Sequence, residues 1–325
     1  MRITGRLGGF LLAACVLGGC RDDGTGSRAN ARGNVGEERA KSLEASEESV
    51  EANGRAKRAR SVEATELLRH EAGLEATFVA AISELRGRAD AASQVRLALL
   101  LATADPRSLG GAPSPAADRD RSRAIVAAGL ADPDDALAAW LEALDCPDVA
   151  ICDPAAARAR LQRIDPENAA AWLLELDALG NESNPSRIDA ALARAAQASG
   201  HDVALQDAIT SVHAMMKTIV PAMSPAQQRA MGRHVGLPGP VDDEMFASVM
   251  TMTVASPIPL PSYGPVYSAC RPGPTLSSAR RSSCIRVLDG MAGSGTLLSA
   301  MSADSRLLQL IGAGPEQLRV RERLR

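Results

Sequence analysis

The chain has 325 residues, of which 46% are hydrophobic and 23% are charged, and its formal net charge is −3. This balance is typical of a globular protein with one or two domains, and it excludes a wholly disordered chain and a membrane bundle. Aromatic residues make up only 2% of the chain and charges of both signs are interspersed, so we expect neither the stacking platforms nor the basic face of a nucleic-acid-binding protein.

The first 20 residues have the order of a secretory signal. Met1–Arg6 contains two arginines, Leu7–Leu17 is apolar, and small residues lead to Cys20. The apolar run has about 11 residues, which is too short to cross ~30 Å of hydrocarbon as a helix. The stretch Leu17-Gly18-Gly19-Cys20 resembles the lipobox of bacterial lipoproteins, in which the cysteine is acylated and cleavage follows on its amino side.

This resemblance implies a signal peptide over residues 1–19 and a lipid on Cys20 that anchors the protein to a membrane, facing the periplasm. Arg21 stands where an Asp retains some lipoproteins in the inner membrane, so the outer membrane is favoured. An ordinary cleaved signal, with Cys20 as a bystander, is the alternative. Residues 20–60 then form a disordered tether, because they carry few apolar side chains to offset the entropy of ordering.

From residue 61 onward the apolar spacing is helical, and no alternating strand pattern competes with it. Asp-Pro pairs at Asp132, Asp153 and Asp165 predict helix starts, because Asp can cap a helix and Pro is tolerated in its first turn. We therefore predict an all-α protein of helical hairpins, either a solenoid or an irregular bundle. Its helical domain covers residues 61–255, and residues 256–325 add a proline-rich extended crossing and further helices packed on the same body.

Two of the Asp-Pro segments are alike over a longer stretch. Asp132 precedes Trp140 and Asp165 precedes Trp172, and the two segments are offset by 33 residues at the aspartates and 32 at the tryptophans. Such a period is typical of stacked helix pairs. The chain from about residue 132 to residue 200 resembles a tetratricopeptide repeat, with the two tryptophans as markers. The resemblance implies a concave surface for a protein partner, and an irregular bundle without repeats is the alternative.

Four cysteines beyond the signal form two local pairs, Cys146 with Cys152 and Cys270 with Cys284. Three connectivities are possible. In an exported protein local disulfides are the simplest pairing, and they are our prediction. Metal binding is the alternative, but neither pair has the Cys-x-x-Cys spacing and no histidine is near either of them.

No recognisable motif identifies a reaction. The four histidines, His70, His201, His213 and His234, belong to no zinc-protease pattern, and the chain contains no nucleophile elbow. We therefore assign no catalytic, cofactor-binding or metal-binding residue, and we expect His70 to lie on the shoulder of a helix.

The methionines other than Met1 all lie at or beyond Met215, and thioethers can bind Cu(I). Helical spacing favours core packing instead. The two stripes that carry this prediction are Leu205, Ile209, Val212, Met216 and Ile219, and Met245, Val249 and Met252.

A glycine-rich stretch runs from Val287 to Thr296. It resembles the glycine loop of amino-methylating DNA methyltransferases, where small residues approach S-adenosylmethionine. The Asp-Pro-Pro-Tyr or Asn-Pro-Pro-Tyr signature of those enzymes is missing, so we expect a helix interrupted by glycines.

Together these features predict a lipid-anchored helical protein that binds an unidentified protein partner in the cell envelope. Tyr263 and Tyr267 are the only polar aromatic side chains that it could offer to that partner. The alternatives are an enzyme whose site no motif shows and a methionine-rich Cu(I)-binding module.

Overall fold

A computed structural model describes residues 64–103, 114–179, 184–256, 263–274, 276–294 and 297–324. Within these ranges the chain consists of helices and their connections and contains no strand, which confirms the all-α prediction. No helix there is long and apolar enough to cross a bilayer. The expected signal over residues 1–19, the lipid-bearing Cys20 and the tether that follows it lie outside the described residues.

Fourteen helices lie in the described ranges, and we number them in chain order. The first, α1, covers residues 64–86. The others are α2 (Ala91–Thr103), α3 (Pro115–Ala131), α4 (Ala136–Asp145), α5 (Pro154–Ile164), α6 (Ala169–Leu179), α7 (Pro185–Ala195), α8 (Leu205–Ile219), α9 (Pro225–His234), α10 (Asp243–Ala255), α11 (Gly264–Ala269), α12 (Ser278–Ala292), α13 (Leu297–Leu310) and α14 (Pro315–Arg323).

Of the Asp-Pro pairs at Asp132, Asp153 and Asp165, only the one at Asp153 starts a helix directly. Its carboxylate accepts hydrogen bonds from the N–H groups of Ala155 and Ala156, at 3.1 and 2.9 Å, and Pro154 occupies the first turn of α5. A proline in the first turn costs no hydrogen bond, because that N–H has no partner within the helix.

The pairs at Asp132 and Asp165 end the preceding helices instead, so the prediction that helices start there is wrong. The Asp132 carbonyl accepts from the N–H of Asp135 and the Asp165 carbonyl from the N–H of Asn168, both at 3.2 Å. Each pair therefore opens a turn, for which proline at the second position is well suited. The next helix begins four residues after each aspartate, behind Asp135 and Asn168.

The helices form two compact units, which we describe separately. Among the described residues, unit 1 comprises 64–81 together with Met215–Met250. His70 is buried in this unit, with its ring centroid 5.1 Å from that of Phe246. It is therefore a core residue and not a helix-shoulder residue as expected.

Unit 2 comprises Ile82–Ala214 and Thr251–Arg325. From α2 to α7 each helix packs on the next one in the chain, and α12 packs on α7 and pairs with α13. One apolar cluster joins α6 and α7 to α12 and α13, through Leu192, Leu288 and Leu307 among others. The C-terminal helices are thus built onto the helical run through a shared core.

Both predicted cysteine pairs lie at disulfide distance. The Cα atoms are 6.3 Å apart in Cys146–Cys152 and 5.6 Å apart in Cys270–Cys284. The second pair is fully buried and joins the end of α11 to the middle of α12. It therefore pins the C-terminal helices, as predicted.

The two tryptophans that mark the expected repeat have different surroundings. Trp140 is 1% exposed and packs with Leu161 and Leu174, whereas Trp172 is half-buried. The indole N–H of Trp172 donates to the Pro166 carbonyl at 2.9 Å. The repeat stays a prediction.

The methionine stripe expected in the core of α10 is on its surface. Met245, Val249 and Met252 are 43, 48 and 59% exposed. The neighbouring stripe of Phe246, Met250 and Val254 is buried instead. Both sets fit a helical period, and the buried one includes the large aromatic ring that packs against His70. In α8 the expected stripe does place Val212 and Met216 in the core.

The proline-rich segment contains a short helix where an extended chain was predicted. Residues 257–262 lie outside the described residues, but α11 covers Gly264–Ala269 with Pro265 in its first turn. Proline is compatible with that position because no intrahelical hydrogen bond is lost there. The glycine-rich stretch also begins in a helix, since α12 continues to Ala292 and is capped by Gly293.

Candidate functional site

A cleft opens in unit 2 between the loop that follows α7 and one face of α12. It encloses about 1010 Å³, open mouth included. We call it the His201 cleft. Its lining comprises Ala169, Ala195, Ala198, Ser199, Gly200, His201, Asp202, Gln206, Arg286, Val287, Gly290, Gly293 and Ser294.

A second depression in unit 2, between α2 and α3, is similar in size but differs in its charged groups. Arg86 pairs with Asp120 at 3.1 Å, and Arg88 pairs with Glu84. The Gln94 amide donates to the Leu85 carbonyl at 3.4 Å. Because these groups already have partners, this depression is the weaker candidate for a binding site.

The loop that carries His201 is fastened to the start of α6. The Ala169 N–H donates to the Gly200 carbonyl at 2.8 Å, and the Gly200 N–H donates to the Glu167 carbonyl at 2.9 Å. These two bonds form the single strand-type bridge in the described residues. They fix the backbone immediately before His201.

Asn168 fixes the backbone immediately after His201. Its side-chain N–H donates to the Asp202 carbonyl, and its side-chain oxygen accepts from the Asp202 N–H, each at 2.9 Å. The same oxygen accepts from the Ala170 N–H at 3.0 Å and so caps α6. One amide thus starts a helix and holds the loop, and His201 is tethered on both sides.

The loop ends in a strained residue. Ala204 has φ +52°, and no other non-glycine residue in the described ranges has a positive φ. This conformation costs an alanine about 1–2 kcal/mol. The Asp202 carboxylate accepts from the Ala204 N–H at 2.9 Å and supports it. The surrounding bonds therefore impose the loop's shape against a local backbone preference.

His201 itself is buried, with 7% of its surface exposed. Neither ring nitrogen has a hydrogen-bond partner from another residue in the described part of the chain. Burial lowers the pKa of His201, outweighing its own backbone and the Asp202 carboxylate, which raise it. The ring is therefore neutral at pH 7, and neither nitrogen is paired with another side chain or with the backbone of another described residue. Leaving such groups unpaired costs about 1–3 kcal/mol each.

The rings of His201, Tyr263 and Tyr267 are neighbours in that order. The ring centroid of Tyr263 is 6.0 Å from that of His201 and 6.2 Å from that of Tyr267. The Tyr263 hydroxyl lies 3.0 Å from the hydroxyl of buried Ser299. Burial raises the pKa of both phenols, so they stay protonated at neutral pH. The tyrosines expected to present a polar aromatic surface are half-buried, and Tyr263 packs near His201.

The facing wall of the cleft is a stripe of α12. Arg286, Gly290 and Gly293 recur at helical spacing on one face. A Cβ added to Gly290 would meet no atom within 4 Å, so the missing side chain leaves open space. Arg286 is exposed, and its guanidinium has no ion-pair partner among the described residues. The stripe is therefore a groove with an unused cation beside it.

The arrangement is suited to binding. It combines a neutral imidazole, an unpaired guanidinium and the exposed Asp202 carboxylate around an open space. In the part of the chain that the structure describes, no group of three or more His, Cys, Asp or Glu residues is placed to hold a metal ion. His213 lies elsewhere, with its Nδ1 3.1 Å from the hydroxyl of Thr251.

Of the residues singled out from sequence, the cleft contains His201 and, from the stretch starting at Val287, Gly290 in α12 and Gly293 at its C-cap. Cys146, Cys152, Cys270, Cys284, Trp140 and Trp172 do not line it. Sequence reasoning missed Asn168 and Arg286. The signal for Asn168 was the cap position after Asp165-Pro166, whereas nothing in the pattern distinguishes Arg286 from other exposed arginines. Comparisons with protein-family models, with curated proteins and with solved structures found no match to this chain.

Proposed function

We propose that this chain is an exported protein, anchored to a membrane through a lipid on Cys20, that binds a segment of a partner polypeptide in the His201 cleft. The observation that carries the proposal is His201, a buried imidazole with two unsatisfied ring nitrogens in the lining of an open cleft. Buried polar groups are normally paired, and an exception in the lining of a cleft calls for an explanation such as a functional role.

Three further observations support binding and export. The loop is held in a strained conformation by Asn168 and Asp202, as preorganised sites often are. The glycine stripe gives an extended chain access to the backbone of α12. Cysteine pairs at disulfide distance are typical of an oxidising compartment, which fits the lipobox-like signal.

The experiment fills the cleft and asks whether partner capture is lost. Gly290→Trp places a large side chain in open space, and on an exposed helical position the substitution also improves helix propensity. Gly312→Trp is the matched control, because a Cβ there also meets nothing and Gly312 does not line the cleft. Each variant is expressed in intact envelopes, crosslinked and purified with its bound proteins.

We expect the wild type and Gly312→Trp to capture the same partner and Gly290→Trp to lose it. Thermal unfolding of the three proteins establishes that the variants are folded. If folded Gly290→Trp captures the partner as well as the control does, the cleft is not the binding site.

A further inference from the structure

We propose that the group recognised in the His201 cleft is a carboxylate of the partner polypeptide, bound by Arg286. This inference rests on the proposed function and adds the chemistry of its ligand.

Arg286 is the cation in the lining of the cleft. Arg286 is exposed on the face of α12 that lines the cleft, and no carboxylate of the described chain pairs with it. Asp289 lies three residues after Arg286 in α12, but its carboxylate accepts a hydrogen bond from Arg323 at 3.0 Å instead. A guanidinium holds a carboxylate through two parallel N–H bonds, an arrangement stronger than a neutral hydrogen bond. Arg286 is therefore the cation available to an anionic ligand.

The second group is His201. Its imidazole is neutral and forms part of the cleft lining. Neither ring nitrogen has accessible surface, so His201 contributes an uncharged wall to the cleft and leaves Arg286 as the cation that meets the carboxylate.

The cleft also has features that suit the peptide backbone that carries the carboxylate. Gly290 leaves space beside Arg286 for a chain to lie along α12. On the loop side Asp202 lines the cleft as an acceptor, and it already binds the Ala204 N–H at 2.9 Å through one oxygen. Its other oxygen is suited to an N–H of the ligand backbone. A carboxylate next to peptide N–H groups matches this pattern better than an isolated acid.

The test uses three short peptides as probes, with binding to the purified protein measured by titration calorimetry. They are acetyl-Ala-Ala-Ala with a free C-terminal carboxylate, the same peptide as its C-terminal amide, and acetyl-Ala-Glu-Ala as its amide. We expect at least one of the two carboxylate peptides to bind about tenfold or more tightly than the neutral amide. The chain-end and side-chain peptides tell the two sources of the carboxylate apart.

Arg286→Gln should weaken binding of the carboxylate peptide about tenfold and leave the neutral amide unchanged, while Arg286→Lys should retain part of the affinity. Arg271→Gln is the matched control, because Arg271 is exposed, lies outside the cleft and gives the same change in net charge. His201→Phe should weaken the carboxylate peptide less than Arg286→Gln does.

Equal binding of acid and amide, absence of binding by all three peptides, or unchanged binding by Arg286→Gln would overturn the carboxylate inference. The proposed function would survive those results if Gly290→Trp still abolished partner capture. If Gly290→Trp captured the partner normally, the cleft would not be the binding site and both proposals would be wrong.

Discussion

Replacing Asn168 by alanine should destabilise unit 2 and loosen the loop that carries His201. The substitution removes the acceptor for the Ala170 N–H, at 3.0 Å, and both bonds to the backbone of Asp202, at 2.9 Å each. Loss of the helix cap costs about 1 kcal/mol, since N-cap substitutions by Ala span roughly 0.5–2. The two bonds to exposed Asp202 add about 0.5–1 kcal/mol each, because water replaces part of what is lost.

The expected loss is therefore about 2–3 kcal/mol in the free energy of unfolding. Asn184→Ala is the matched control, since Asn184 caps α7 with a single bond to the Arg187 N–H at 3.3 Å. That variant should lose only about 0.5–1 kcal/mol. Urea denaturation followed by circular dichroism measures both.

The same variant should also bind the carboxylate peptide more weakly, because His201 and Asp202 lie on the released loop. If Asn168→Ala is no less stable than Asn184→Ala, Asn168 does not hold the loop and the argument that the loop is preorganised fails.

Three further predictions concern the membrane anchor, the cysteine pairs and the buried histidines. Cys20→Ala should move the protein from the membrane fraction to the soluble fraction; if it stays with the membrane, Cys20 is not the anchor. Cys146, Cys152, Cys270 and Cys284 should not react with a thiol reagent in denaturant without reductant, whereas four reactive thiols would contradict both bridges. Burial lowers the pKa of His70 and His201 below the ordinary value of 6.5, so the unfolded chain takes up their protons first. The free energy of unfolding should therefore be at its full value above pH 6.5 and should decrease as the pH drops from 6.5 toward the lowered pKa values of the folded protein. His201→Phe should make this decrease less steep in unit 2. A fall of equal steepness in wild type and His201→Phe would contradict the burial argument for that residue.

The helices could be predicted from the sequence, and the site could not. Apolar spacing and proline position act locally, which is why α5 starts at Asp153-Pro154 as expected. The prediction of helix starts at Asp132 and Asp165 is wrong because an Asp-Pro dipeptide also suits the first half of a turn. In each case the aspartate carbonyl accepts from the N–H three residues later, which closes a turn before the helix begins. The α10 stripe misled for a related reason, because two adjacent faces were equally periodic and packing of Phe246 against His70 selected one of them.

The cleft depends on contacts that no local pattern encodes. Asn168 and Asp202 are 34 positions apart and meet through backbone and side-chain bonds. Arg286 and His201 are farther apart still, and they share a lining only because α12 packs on α7. The chain has only two tyrosines. Tyr263 packs near His201 and Tyr267 packs near Tyr263, a clustering that composition alone does not predict.

Two glycines in helices differ in whether packing requires a glycine at that position. A Cβ at Gly232 in α9 would lie 1.9 Å from the Gly239 carbonyl oxygen, so only glycine fits there whatever the protein does. Gly290 in α12 meets no such limit, and any other residue except proline would form the helix more readily. Among descendants of this chain, drift should leave position 232 fixed and let position 290 change freely. A glycine that persists at 290 would then be retained for the ligand and not for the fold.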